Sequence, residues 1–537
     1  MATVEISLAL LLAITVVGAL AKWIPLPQPI LLVLGGIAVS FLPGMTALRI
    51  DPEIFFLLFI PPLLFGDGWL IPKRDFLAVL RPVLLLAFGL VFLTVIAVGY
   101  LLHWLLPALP LAAAFALGAI VSPTDAVAVG AVTARLPLPS RVTHIVNGES
   151  LINDASGLVA FKFAVAAVAT GAFSWTAAAG EFLVLSGGGL VAGVAIAWLV
   201  GEARVRLARF CVDDPTIQTL LSLLTPYAAY LAAESLHVSG ILAVVAAGLY
   251  AGTHDSRNVS RATRQHAWEV WAMVLFIGNG LVFLLLGAQL RPVLAALDRA
   301  SFGALAGYAL ALFVLLIVIR LLWVYPAAYL PHLLSRRIHE REGRRDPGHV
   351  FLVGWAGIRG SVTMAAALSI PLVTANGSAF PGRDLIIFLA ATTIVLTLVV
   401  NGLTLPLFIR LLGVRGDRRA EHEERAARLA TTQAAIDTLH RELGRTVDAE
   451  ETVAAQRLIA QYERRLARHS ANAERRAQLD AREGGEQRLA LAALAAEQAE
   501  LQSLRDTAVI NDETLRLLQV DLDHAESMLR GTPREGH

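Results

Sequence analysis

The stretch Gly148-Glu149-Ser150-Leu151-Ile152-Asn153-Asp154-Ala155-Ser156-Gly157 places two carboxylates and an amide in a run that continues Leu-Val-Ala-Phe-Lys-Phe-Ala-Val and otherwise reads as lipid-facing helix. On a helix, residues four apart share a face. Glu149 therefore lies under Asn153 and Ser150 under Asp154, giving two adjacent polar stripes on one apolar rod. An ionised group at bilayer depth costs about 2.5–3.5 kcal/mol even on the lenient insertion scale. Such residues face the interior of a bundle, either locking helices together as a polar network or marking an ion or proton path.

Composition sets the setting for that helix. Of 537 residues, 56% are hydrophobic and only 16% charged, with a mean hydropathy of +0.65. That is too apolar for a soluble enzyme of this length, so an integral membrane protein is expected. The formal net charge of +1 gives no indication of a nucleic-acid partner, because in a membrane chain the informative quantity is where the charges sit. Cys211 is the single cysteine, which excludes an intrachain disulfide or a thiolate metal cluster, and no cofactor is expected. Lys22, Lys73 and Lys162 are the only lysines, and the arginine bias suits a GC-rich bacterial genome.

Before about residue 415, apolar runs long enough to cross a bilayer alternate with short polar breaks. Thirteen spans, give or take one, run from one near 3–22 to one near 384–412, with the quoted stretch inside the sixth, near 147–171. Ala19-Leu20-Ala21 resembles a signal-peptide cleavage site, but the segment before it carries Glu5 and no basic residue, so a span is the preferred reading. Seventeen basic residues fall in the breaks after odd-numbered spans and four in those after even-numbered spans. By the positive-inside rule the N-terminus faces outward and the C-terminus lies in the cytoplasm. The chain thus divides into a transmembrane domain, residues 1–415, and a cytoplasmic helical region, residues 416–537. The latter is rich in Arg, Glu, Ala, Gln and Leu, and Leu515, Leu518, Leu522, Ala525 and Leu529 form a coiled-coil-like stripe. Gly484-Gly485 marks a break between its helices. It reads either as a solvated hairpin or as a regulatory or dimerisation module.

Two further segments bear on the quoted one. In Gly118-Ala-Ile-Val-Ser-Pro-Thr-Asp-Ala-Val-Ala-Val-Gly130, also mid-span, Pro123 lacks an N–H and clashes with the preceding turn. Carbonyls near Ala119 and Ile120 are freed just before Thr124 and Asp125, which predicts a broken helix. Unwound backbone at membrane depth is tolerated where it lines a cavity, and secondary transporters place midplane ion sites at such breaks. The other segment opens Gly354-Trp355-Ala356-Gly357-Ile358-Arg359-Gly360-Ser361-Val362-Thr363 and runs on to Pro371. In it Arg359 stands among glycines and needs an anionic partner, for which Glu149 is the best candidate.

Ser-Pro-Thr-Asp-Ala-Val-Ala-Val, then Gly-Glu-Ser-Leu-Ile-Asn-Asp, then Gly-Ile-Arg-Gly-Ser-Val, in this order, resembles the monovalent cation:proton antiporter-1 family, the sodium/proton exchangers, in its bacterial branch. The resemblance covers the whole membrane region. It implies that Asp154 binds cation and proton in turn, with Asn153 beside it where electrogenic relatives carry another aspartate. It further implies that Thr124 and Asp125 line the cation site, that Ser150 offers an oxygen, and that Glu149 pairs with Arg359. Transported sodium would then sit at Asp154, Ser150 and Thr124. The implied fold is all-α, with two inverted repeats of about six spans, broken crossing helices, a cytoplasmic funnel and a homodimer. One departure stands out: after Pro61-Pro62-Leu63-Leu64-Phe65, where relatives often carry an acidic residue, comes Gly66, with Asp67 one place later. One residue turns a helical side chain by about 100°, so Asp67 is expected as an auxiliary ligand at most.

The function implied is exchange of sodium, or alternatively potassium or lithium, for a proton across the cytoplasmic membrane, serving pH and sodium homeostasis. With Asp154 as the sole titrating ligand, the exchange is expected to be electroneutral. Arg320, within an apolar run, reads as a snorkelling or interhelix structural arginine, and Lys162 as reaching the interface by its stem. His103, His144, His237, His254 and His266 have no metal-ligand spacing. An intramembrane hydrolase using Asp125 and Asp154 is one rival, which leaves the Asn153-Asp154 pair and Arg359 without a role, and a passive channel is another.

Overall fold

The computed structural model describes residues 2–24, 26–41, 52–133, 136, 138–170, 175–210, 214–296, 302–334, 346–374, 377–414, 416, 419–445, 448–470, 473–507 and 509–530. These are helical apart from short connections and one isolated bridge, Val373 to Ala379. The chain forms two compact units, Met1–Gly416 and Asp417–His537.

The first unit begins with α1 (Ala2–Leu20), α2 (Gln28–Val39), α3 (Pro52–Leu70), α4 (Lys73–Ala78) and α5 (Leu80–Leu84), which continues through a π-helical turn, Leu85–Leu90, into α6 (Val91–Leu105). Next come α7 (Leu111–Val121) and α8 (Ala126–Thr133), two halves of one interrupted crossing. They are followed by α9 (Ser140–Thr170), α10 (Trp175–Phe210), α11 (Pro215–Ser235), α12 (Gly240–Asn258), α13 (Arg261–Ala296) and α14 (Phe302–Leu334). A second interrupted crossing consists of α15 (Pro347–Trp355) and α16 (Ser361–Leu368). After it, α17 (Arg383–Leu396) passes through a π-helical turn, Thr397–Asn401, into α18 (Gly402–Leu411). Seven of the described helical segments are long and apolar enough to cross a bilayer, and α1, α2 and α3 contribute shorter apolar stretches. This is the all-α, multi-pass membrane architecture that the composition predicts.

Helix starts follow local chemistry. Asp214 caps α11 by accepting from the N–H groups of Thr216 and Ile217, at 2.7 and 3.4 Å, with Pro215 in the first turn. Those two backbone bonds hold its carboxyl below the usual carboxylate range. Asp346 does the same for α15 through Gly348 N–H at 2.8 Å, ahead of Pro347.

Packing sorts the membrane helices into two bundles. One comprises α1–α3 and α10–α13, the other α5–α9 and α14–α18. Within the first, a buried Arg204–Asp255 pair at 2.8 Å ties α10 to α12, and Trp69 Nε1 donates to the same carboxylate at 3.1 Å, fixing the end of α3. With no hydrophobic force between helices in lipid, close backbone approach must supply the adhesion. Gly36 of α2 and Gly287 of α13 provide it, since a Cβ on either would strike the carbonyl of Leu284 or Val33 respectively. Between the bundles, Lys162 Nζ on α9 reaches Glu234 Oε1 on α11 at 2.6 Å. Lys162 is thus engaged by an anion on a neighbouring helix, with both side chains partly exposed.

In the second unit, α19 (Arg419–Leu443) pairs with α20 (Ala449–Ser470), burying Ile436 and Ile459. Next, α21 (Ala473–Asp506) pairs with α22 (Asp512–Arg530), where Gln487 Nε2 donates to Leu529 O at 2.7 Å. Gly484-Gly485 lies inside α21, so the expected break is not there. Each glycine costs a helix about 1 kcal/mol, which a long helix packed on a partner tolerates. The chain turns instead after Asp506, before Asn511.

The crossing of α2 and α13 is directly testable. Gly287→Leu should lower the melting temperature in detergent sharply or abolish a monodisperse peak, because overpacking against backbone costs about 1–3 kcal/mol or more. Gly307→Leu, on α14 with open space around it, should leave the melting temperature near that of the wild type.

Candidate functional site

The two interrupted crossings meet at their breaks. The Asp125 N–H donates to Ile358 O at 2.8 Å, so the unwound segments run against each other. The Asp125 carboxylate then caps both half-helices that leave the crossing. Its Oδ1 accepts from Ala128 N–H in the first turn of α8 at 2.9 Å, and its Oδ2 from Ser361 N–H at the start of α16 at 3.1 Å. Negative charge at two helix N-termini is favourable. Gly360 is required there, because any Cβ would fall on the Asp125 carboxylate. The Arg359 N–H donates to Thr397 Oγ1 at 3.0 Å, and Asn401 Nδ2 to Trp355 O at 3.1 Å, so the π-helical turn serves the second break.

At the opposite pole of the crossing sits Glu149, 0% exposed. Its partner is Arg320 of α14, bidentate at 2.5 and 2.8 Å. Arg320 also donates to Gly354 O at 3.0 Å and Val353 O at 2.9 Å, carbonyls of the last turn of α15. These carbonyls are orphaned by the break, and a cation at a helix C-terminus is favoured. The expected Glu149–Arg359 pair is therefore corrected to Glu149–Arg320: the guanidinium that satisfies both the carboxylate and the broken helix end takes the position. Arg359 is buried too, with Nε and Nη1 lacking a hydrogen-bond partner among the described residues.

Asn153 and Thr124 belong to this network. Asn153 Nδ2 donates to Thr124 Oγ1 at 2.8 Å and to Glu149 Oε1 at 3.4 Å, while its Oδ1 accepts from Thr124 N–H at 3.4 Å. Thr124 Oγ1 in turn donates to Glu149 Oε1 at 3.3 Å. The Asn153 amide is thus wholly used in tying α9 to the first break, and Asn153 does not line the adjoining cavity.

That cavity, about 330 Å³, is lined by Asp67, Thr124, Asp125, Ser150, Asp154, Asn279 and Ser361, and extends past Asn147 and Thr143 to Pro72. Ser150 Oγ accepts from Ala126 N–H at 3.2 Å. Asp154 is 4% exposed. Among the described hydrogen bonds none reaches the Asp154 carboxylate, nor that of Asp67 on α3, which is directed to the cavity despite its shifted place in the sequence. Three carboxylates thus share one cavity, one committed to backbone and two open. Hard oxygens of this kind suit a hard monovalent cation or a proton. Among the described residues no His/Cys/Asp/Glu group has the form of a resident metal centre. Asn279 and Ser361 are cavity residues that the motif reading did not single out; the signal for Asn279 was a lone amide, Gly278-Asn279-Gly280, in the middle of an apolar span.

If Glu149 depends on Arg320, then Arg320→Met should lower the melting temperature in detergent by the equivalent of about 3–5 kcal/mol, the cost of stranding one member of a buried pair. Adding Glu149→Gln should recover part of that loss. Equal melting temperatures for Arg320→Met and the wild type would show that the pair contributes nothing.

Comparison with known proteins agrees with this geometry. The model of the family described as sodium/hydrogen exchanger, transmembrane, matches residues 8–411. The chain is 37% identical to an uncharacterized Na(+)/H(+) exchanger, YjcE, of Escherichia coli (strain K12), over 97% of this chain and 98% of that one. It is 38% identical to a sodium, potassium, lithium and rubidium/H(+) antiporter of Bacillus pumilus (strain SAFR-032), over 96% of this chain and 77% of that one. The sodium proton antiporter MjNhaP1 of Methanocaldococcus jannaschii, solved at pH 8, shares the fold with a TM-score of 0.61 at 20% identity, covering 77% of this chain and 99% of that one. With the family model matched over residues 8–411 and these identities over nearly the whole chain, the chain belongs to the sodium/hydrogen exchanger family, whose members are secondary transporters of the membrane and not enzymes.

Proposed function

We propose that this protein exchanges one monovalent cation, sodium first, for one proton across the bacterial cytoplasmic membrane, with Asp154 as the group that carries each in turn. The observation that supports this most is the Asp154 carboxylate itself, buried, facing the cavity and bonded to no protein donor among the described residues. A lone carboxylate in a low-dielectric site needs a positive counter-ion. A proton or a cation can fill that role, but not both at once, and competition of this kind is the chemistry of exchange. Ser150 and the cavity wall supply neutral oxygens, and Asp67 a second, auxiliary carboxylate. The Thr124 hydroxyl is committed to Asn153 and Glu149, so its share in cation binding is through the unwound backbone it belongs to.

The cavity leads toward Pro72 and Thr143, close in sequence to Lys73, Arg74 and Arg141. Under the positive-inside rule these basic breaks are cytoplasmic, so the reading is an inward-open state with the N-terminus outside and the C-terminus inside. Alternating access then follows from movement of one bundle against the other, with thirteen crossings in two inverted repeats and a homodimer as the assembly. The second unit is read as the regulatory or dimerising module. A second reading, broad selectivity that includes potassium and lithium, is favoured by the relative from Bacillus pumilus, whose name carries sodium, potassium, lithium and rubidium.

Two measurements test the proposal. Asp154→Asn should give no cation-driven pH change above protein-free liposomes with lithium, sodium, potassium or rubidium, while eluting and melting like the wild type. Residual exchange in that variant would remove Asp154 from the centre of the mechanism.

The second concerns charge. If Asp154 alone titrates, the cation-loaded and protonated sites carry equal charge, and the sodium-driven proton gradient should be insensitive to a potassium–valinomycin diffusion potential. Each net charge crossing 100 mV is worth about 2.3 kcal/mol, so an electrogenic cycle would move the end point clearly. Such a shift would refute the one-for-one reading and make Asp125 or Asp67 a second carrier.

A further inference from the structure

The cavity wall facing the first break is held by a bond between the bundles. Ser361, the first residue of α16, is fixed at both ends. Its N–H donates to Asp125 Oδ2 at 3.1 Å, and its hydroxyl to Oδ1 of Asn279 at 2.9 Å. Asn279 comes from α13 in the first bundle and Ser361 from the second, and both line the cavity with Asp154 and Asp67. Among the described side-chain hydrogen bonds, this one and Lys162–Glu234 join the bundles, beside ring contacts of Phe182 on α10 with Phe88, Phe92 and Phe163 and the Lys162 ammonium over Tyr230.

The consequence lies in how a hydroxyl binds a cation. Serine carries one proton and two lone pairs, and it can coordinate a cation only when the proton is directed elsewhere. Three carboxylates share this cavity, and a free serine hydroxyl would turn its proton toward one of them. Asn279 takes that proton on a neutral oxygen. The Ser361 oxygen is thereby left with its lone pairs available, and the carboxylates are left unsatisfied for the transported ion. Alkali cations all carry one charge, so carboxylates alone discriminate poorly among them. The number and placement of neutral oxygens decide the order. The Thr124 hydroxyl is already committed, so Ser361 joins Ser150 and Thr363 as a hydroxyl oxygen on the cavity wall.

We propose that Asn279 is the positioning residue that sets cation selectivity: by accepting the Ser361 hydroxyl proton it presents Ser361 Oγ as a neutral ligand across the cavity from Asp154. This rests on the reading of Asp154 as the exchange site.

The test uses the full chain, in proteoliposomes for dye-monitored exchange and in detergent for cation-induced thermal stabilisation, with lithium, sodium, potassium and rubidium chlorides. The variants are Asn279→Leu, which keeps volume and removes the acceptor, Asn279→Asp, which keeps the acceptor, and Ser361→Ala. Asn279→Leu and Ser361→Ala should each raise KM for the preferred cation about fivefold or more and compress the differences among the four cations. The maximal rate should change much less than KM. Asn279→Asp should retain the wild-type cation order, and the double variant should be no worse than Ser361→Ala, as expected for two residues acting as one unit. Wild-type KM and cation order in Asn279→Leu would overturn the proposal, as would an equal fall in rate for all cations at unchanged KM, the mark of a merely structural residue. Should Asn279→Leu fail to fold, Ser361→Ala and Asn279→Asp decide by the same readouts. A wild type stabilised selectively by cations but inactive in exchange would defeat the exchange reading and leave the selectivity claim to the thermal data.

Discussion

Everything in the membrane unit is arranged around the cost of unwound backbone at bilayer depth. Two helices break at the same place, and each break strands N–H groups on one side and carbonyls on the other. Asp125 answers the first need at both half-helices with one carboxylate, through Ala128 N–H and Ser361 N–H. Arg320 answers the second, taking the Val353 and Gly354 carbonyls. Opposite charges are thus fixed at opposite dipole ends of the second break.

Those two charges also determine where a mobile charge can reside. Arg320 is neutralised by Glu149, which is in turn bonded by Asn153 and Thr124, so that pole is saturated. Asp125 has both oxygens occupied by backbone. Among the carboxylates of the cavity, the ones without a hydrogen-bond partner among the described residues are Asp154, one helical turn and a residue beyond Glu149 on α9, and Asp67 on α3. A proton or cation arriving in the cavity finds one structural carboxylate and two that lack a partner. The single motif Gly-Glu-Ser-Leu-Ile-Asn-Asp therefore does two jobs on two adjacent helix faces, Glu149 and Asn153 holding the crossing and Ser150 and Asp154 facing the cavity.

How much of this is legible in the sequence depends on whether the cause is local. The break at Pro123 is written into the chain, because proline removes a donor wherever it stands. The i, i+4 relation of Glu149 to Asn153 is likewise local and appears as a hydrogen bond. The partner of Glu149 is not local. Arg320 sits in an uninterrupted apolar run, where a long side chain reads as snorkelling, and only packing of α14 on α15 brings it to the break. Arg359 drew attention because it lies inside a motif, yet its guanidinium is not the one that meets the carboxylate. The one-residue shift leaves Asp67 an auxiliary ligand at most on the motif alone, and α3 carries it to the cavity. Gly484-Gly485 misled in the opposite direction, since a helix packed along a partner absorbs a propensity cost that an isolated one would not.

The location of Asn279 extends this logic from charge to neutral oxygens. A cavity that must release its cation cannot rely on carboxylates alone, because binding has to be weak enough to reverse. Neutral ligands adjust that strength without adding charge, provided their own protons are engaged elsewhere. Here the two serines are held in opposite senses: Ser150 Oγ on α9 accepts from the Ala126 N–H of α8, whereas Ser361 on α16 donates its proton to the Asn279 amide oxygen of α13. The first of these contacts lies within one bundle and the second joins both. In an exchange driven by movement of bundles, a ligand held within one bundle travels with Asp154, whereas one oriented from the other is tied to their relative position.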